Sequence, residues 1–68
     1  MIEMVNVKLI EQLRTEHNYS QEQMAKLIGY ESDAAYNRKI KGKRDFSIED
    51  IVKLCKLFQL ELSDLIIL

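Results

Sequence analysis

At 68 residues, with one cysteine and one histidine, the chain has neither a disulfide nor a metal to staple it. A domain below about 80 residues must then be held by helix packing or by a partner subunit. Nearly half the residues are apolar, proline is absent and glycine occurs only twice, which suits an all-helical fold and argues against disorder; the net charge of −1 argues against a protein that coats nucleic acid indiscriminately.

In chain order, Asn6 is placed to cap a helix running from Val7 to about His17, with Ile10 and Leu13 inward and Leu9 beside them. Asn18 ends it, asparagine being the commonest stand-in for glycine in a left-handed C-cap. His17 in the last turn complements the helix dipole; with no second ligand its role is structural. Ser20 starts a second helix, and Gln23 completes an S-x-x-Q capping box. Met24, Leu27 and Ile28 give that helix one apolar face, with Ala25 as the small residue where another helix comes close. Gly29 ends it through its freedom at positive φ. Ser32 offers the next N-cap, for a helix running to about Ile40 and stopped by Gly42. Two short helices joined by a tight glycine-containing turn, at about 20–42, read as a helix-turn-helix.

A helical wheel separates two jobs on the second of these helices. At about 100° per residue, Tyr36 and Ile40 sit together, Asp33 and Lys39 flank them, and Ala34, Asn37, Arg38 and Lys41 point away. An amide and a guanidinium can make bidentate hydrogen bonds to adenine and guanine in the major groove. On an isolated helix these side chains would be ordinary solvated surface. Here a capped helix precedes them and a basic loop follows. Arg38, Lys39, Lys41, Lys43 and Arg44 are half of all the cations, with no acid from Ala34 to Arg44. Acids gather elsewhere, at Glu3, Glu11, Glu16, Glu49, Asp50, Glu61 and Asp64, so one basic face is expected, suited to phosphate contact.

After the loop, Phe46 is an anchor expected to tuck under the domain. Ser47 caps a fourth helix with Asp50 at N3, as in a capping box. Ile48, Ile51, Val52, Cys55 and Phe58 form its core stripe, widened by Leu54 and Leu57. Cys55 reads as a small core residue. Ser63 caps a last short helix that turns Leu65 and Ile66 inward. The expectation is an all-α, compact five-helix domain occupying residues 1–68, and the absence of a trailing linker favours a complete protein.

From about Val7 to Leu65 the chain resembles the lambda-repressor and Cro type of helix-turn-helix, the XRE family of small regulators. The resemblance rests on Leu13-Arg14, on S-Q-E-Q-M-A at Ser20 to Ala25, and on Gly29 and Tyr36. G-K-R at Gly42 to Arg44 and S-I-E-D-I at Ser47 to Ile51 complete it. Two features depart from the family pattern. The turn after Gly29 is one residue longer, and the glutamate usual two residues before Gly42 is Ile40, which leaves the partner of Arg14 open. The resemblance implies a lambda-repressor-like fold and a sequence-specific transcriptional regulator of phage or mobile-element type. Such a protein binds a palindromic operator as a dimer, with the helix at about 32–40 in the major groove. It carries phosphate binding to Gln21, Lys43 and Arg44, and base reading to Asp33, Ala34 and Arg38. The wheel agrees for Ala34, a candidate for a thymine methyl, and for Arg38, but leaves Asp33 on the flank. By the wheel and the basic loop, Asn37 joins the base readers and Lys41 the phosphate contacts.

The chain ends in four consecutive aliphatic residues, an unusual surface for a monomer. Leu60, Leu62, Ile67 and Leu68 are therefore expected at a homodimer contact, one that forms either in free solution or only on DNA. An antitoxin or other protein-interaction module, with DNA binding secondary, is the alternative. The sequence holds no paired carboxylates at a plausible site, no Ser/His/Asp set, no metal spacing and no phosphate-cradling glycine loop, so neither an enzyme, a cofactor nor a small-molecule substrate is expected. No apolar run of membrane-spanning length and no signal-peptide pattern is present, so no membrane partner and a cytoplasmic, bacterial setting are expected.

Overall fold

A computed structural model describes residues 5–67. In chain order the described residues form α1 (Val7–Glu16), α2 (Gln21–Leu27), α3 (Asp33–Ile40), α4 (Ile48–Phe58) and α5 (Leu62–Leu65), which is the all-helical architecture expected. An antiparallel bridge between Val5 and Ile66, with the Asn6 amide donating to the Leu65 carbonyl at 2.7 Å, brings the two ends of the described chain together.

The helix starts follow local rules. Asn6 accepts from the Leu9 amide at 3.1 Å, and Ser20 and Ser47 each form a complete capping box, with Gln23 and Asp50. Ser32 stands at the α3 N-cap, yet its side chain makes no capping hydrogen bond. The helix ends repeat one device. Asn18 (φ 58°), Gly29 (φ 93°), Gly42 (φ 79°) and Gln59 (φ 56°) all take the left-handed conformation just past a helix. In each case the next amide reaches back to a carbonyl five residues earlier: Tyr19 to Arg14, Tyr30 to Ala25, Lys43 to Arg38 and Leu60 to Cys55. This Schellman geometry satisfies carbonyls that the helix leaves open.

Every helix feeds one core. Ile10 of α1, Met24 and Ala25 of α2, Tyr36 of α3, Ile51 and Leu54 of α4 and Leu65 of α5 are buried there, with Phe46 tucked in from the loop as expected. Cys55 is a buried core thiol; burial, aided by the Asp64 charge, raises its pKa and keeps it protonated. His17 stacks on Tyr19 at 5.6 Å and tilts against Phe58 at 5.1 Å, an aromatic packing role in addition to its place at the end of α1.

Several expectations on side-chain direction are corrected. In α2 the buried arc runs through Met24, Ala25 and Ile28, and Leu27, about 100° from its middle, is exposed. In α4 the apolar positions cover more of the circumference than one neighbour can bury. Ile51, Leu54 and Cys55 face the core, while Ile48 (68 % exposed) and Val52 (36 %) face out. Leu13 is only half-buried. The last helix starts at Leu62, before Ser63. Glu61 is its N-cap residue, and the Asp64 carboxylate accepts from the Glu61 amide at 2.9 Å. Ile66 leaves this helix in an extended conformation to pair with Val5.

Candidate nucleic-acid interface

Packing of α3 against α2 positions the candidate surface. Its inward anchor is Tyr36, whose hydroxyl donates to the Glu11 carboxylate of α1 at 2.7 Å. Glu11 also accepts from Arg14 at 2.8 and 3.3 Å, and Arg14 donates onward to the Tyr19 carbonyl at 2.7 Å. The partner left open by Ile40 is thus a glutamate one helical turn before Arg14. Burial pushes the Glu11 carboxyl up, but the hydrogen bonds from Arg14 and Tyr36 outweigh it and leave it below its ordinary value. Burial, then the hydrogen bond to the Glu11 carboxylate and its charge, pushes the Tyr36 phenol up, so it stays a donor.

On the outer side of α3, Asp33, Ala34 and Arg38 are exposed, as are Lys41, Lys43 and Arg44 in the following loop. None of these cations forms an ion pair among the described residues. Asn37 is half-buried, and its carboxamide donates to the Gln21 side chain at 3.1 Å. That bond ties the middle of α3 to the first residue of α2. The loop is tied to α3 as well: the amides of Lys43 and Arg44 both donate to the Arg38 carbonyl, at 2.9 and 3.3 Å. Arg38 and the basic loop therefore form one hydrogen-bonded unit, made possible by the positive φ of Gly42.

Lys39 does not belong to the basic face. The run of cations in the sequence groups it with the exposed ones, but only 8 % of it is accessible, and its ammonium donates to Asp50 at 2.8 Å and to the Asp45 carbonyl at 2.9 Å. Tyr30, in the turn between α2 and α3, donates its hydroxyl to the same carboxylate at 2.8 Å. Sequence reasoning missed Tyr30, Glu11 and the second role of Asp50. The one available signal was the position of Lys39 on the wheel, on the flank of Tyr36 and Ile40.

The capping boxes give a test of how the site is held. Ser20→Ala and Ser47→Ala should each cost roughly 0.5–2 kcal/mol in urea unfolding, because each leaves a first-turn amide without its acceptor. Only Ser20→Ala should also weaken DNA binding, since Gln21 is the next residue and begins α2. Equal DNA affinity of the two variants, well below their melting temperatures, would count against that coupling.

Of the residues expected at a dimer contact, Leu62 and Ile67 are exposed, at 51 % and 45 %, and Leu60 is half-buried against the core. Leu68 lies outside the described residues. Among the described residues no helix is long and apolar enough to cross a membrane. A comparison with protein families matches residues 10–65 to the model described as Helix-turn-helix. No curated protein and no solved structure matches the chain significantly.

Proposed function

The chain belongs to the helix-turn-helix family of lambda-repressor type, a family of DNA-binding regulators, and from that premise we propose that it reads a specific palindromic operator as a homodimer. It acts as a single domain over residues 1–68 in the bacterial cytoplasm, as a repressor or Cro-like protein of a phage or mobile element. In this reading α3 lies in the major groove and α2 crosses the backbone. Arg38 reads a guanine edge, Ala34 meets a thymine methyl, and Asn37 and Asp33 contribute from the edge of the contact. Gln21, Lys41, Lys43 and Arg44 hold phosphates.

The observation that carries this reading is the unit built on Arg38. Its side chain is exposed on α3 while its carbonyl is capped by the amides of Lys43 and Arg44. Those bonds hold the loop start against α3, which supports base reading by Arg38 beside phosphate contact by Lys43 and Arg44. The test is selection of bound sites from a random DNA pool, followed by Arg38→Ala and Lys43→Ala on variants of the selected site. Arg38→Ala should abolish discrimination at one base pair per half-site, at about 1–3 kcal/mol. Lys43→Ala should weaken all sequences alike and lower the salt slope by about one. If the two variants respond alike across the operator series, the assignment of reading and positioning roles fails.

The exposed Leu62 and Ile67 also favour a second reading, an antitoxin whose apolar surface is covered by a toxin. Sedimentation of the isolated protein with operator DNA separates the two. A complex of two chains per duplex supports the regulator; a protein that shifts to two chains neither alone nor on DNA supports the antitoxin.

A further inference from the structure

Lys39 stands where the period of α3 calls for an apolar side chain, three residues after the fully buried Tyr36. Its ammonium meets four groups: the Asp50 carboxylate at 2.8 Å, the Asp45 carbonyl at 2.9 Å, and the faces of Tyr30 and Phe46, whose centroids lie at 5.0 and 5.8 Å. Asp50 is saturated in turn by the Tyr30 hydroxyl and by the Ser47 amide at 2.9 Å. Among the described residues no buried side-chain polar atom lacks a partner. An ion pair of this kind is seldom more stabilising than apolar residues of the same volume, so stability alone is a weak reason for it. Direction is the better reason. An apolar contact tolerates sliding, whereas charge-assisted hydrogen bonds to two separate acceptors permit one arrangement.

Two parts of the proposed interface and the start of α4 meet at this ammonium. Arg38 precedes it directly on α3; the loop bearing Lys43 and Arg44 ends at the Asp45 carbonyl it holds; and Asp50 caps the α4 start that follows. We propose that Lys39 is a positioning residue for sequence recognition. It does not reach DNA, but its ammonium, clamped between Asp50 and the Asp45 carbonyl, fixes α3 relative to the basic loop so that base reading and phosphate contact occur in one register. This rests on the roles proposed above for Arg38 and the loop.

The test uses the full chain with Lys39→Met and Asp50→Asn combined, which removes both charges but keeps side-chain length and an acceptor for the Ser47 amide. Affinity is measured for the selected operator and for a scrambled duplex, with melting temperature as the stability readout. The double variant should recover most of the stability lost by Lys39→Met alone. Its discrimination between the two duplexes should nevertheless stay at least about tenfold below wild type, the scale of one base contact. Affinity for the scrambled duplex and its salt slope should be unchanged, because the exposed cations remain. A stable double variant with wild-type discrimination would make Lys39 a packing residue and overturn the proposal. Equal losses on both duplexes would overturn it too, by making Lys39 part of the phosphate contact. A wild-type protein that does not distinguish the duplexes removes the underlying reading instead, and the inference with it. Should the double variant fail to fold, Tyr30→Phe removes a single donor to Asp50 at constant charge. Reduced discrimination in that variant supports the clamp, and unchanged discrimination overturns it.

Discussion

Asp50→Ala should destabilise the protein by about 3–5 kcal/mol, the cost of removing one partner of a buried ion pair and leaving the other charge uncompensated. Only 3 % of Asp50 is accessible and 8 % of Lys39, so little water replaces the lost carboxylate. The Ser47 amide and the Tyr30 hydroxyl lose their acceptor at the same time. Urea unfolding at neutral pH measures the loss, and a change no larger than that of Ser47→Ala would show that the ammonium escapes to solvent. The pair also sets the pH range of stability. Burial pushes the Asp50 carboxyl up, but Lys39, the Ser47 amide and Tyr30 outweigh it and hold it below its ordinary value. Its contribution is therefore complete above the unfolded-state pKa of about 3.9 and is lost as pH falls toward the lower folded value. For Lys39 burial pulls the pKa down, yet Asp50 and Tyr30 raise it above the ordinary value. That contribution is complete below about pH 10.4 and is lost as pH rises toward the higher folded value. Stability should thus fall off on both the acid and the alkaline side, and Asp50→Asn should flatten both limbs.

Leu62→Asp combined with Ile67→Asp should leave the monomer folded and reduce affinity for a full operator by about 10²-fold or more relative to a single half-site, the scale of avidity lost when two modules are uncoupled. Both side chains are about half exposed, so the charges enter water without disturbing the core, and Leu65 between them stays buried. On the palindromic operator proposed above, a second copy is called for by geometry. Half-sites one helical turn apart are separated by about 34–36 Å, and the longest extent of the described chain is 28 Å. A two-fold contact through an exposed apolar patch is the common solution. Equal losses on the full operator and the half-site would take Leu62 and Ile67 out of the contact.

Much of the fold was legible because it is decided within a few residues. Ser20 with Gln23 and Ser47 with Asp50 cap helices through bonds spanning three positions. Asn18, Gly29 and Gly42 take left-handed conformations that their own side chains, or lack of one, permit. From these caps and one wheel came the helix-turn-helix, the inward turn of Tyr36 and the exposure of Ala34, Arg38 and the loop cations. The α5 start escaped because two capping patterns overlap there, Glu61 with Asp64 competing with the simpler choice of Ser63.

Local chemistry in the chain settles the starts of α1 to α4, the left-handed stops at Asn18, Gly29 and Gly42, and the outward placement of Ala34 and Arg38 on α3. What lies opposite each helix is settled by packing between residues far apart in the chain. Periodicity gives a direction around one axis; it carries no information about the group met there. Hence Ile48 and Val52, apolar and in phase, are left exposed while Ile51, Leu54 and Cys55 take the buried side of α4. Hence too Arg14 finds Glu11 and the Tyr19 carbonyl in place of a glutamate at position 40. Lys39, a cation in a run of cations, goes inside because an acid eleven residues away and a tyrosine from the preceding turn converge on its ammonium.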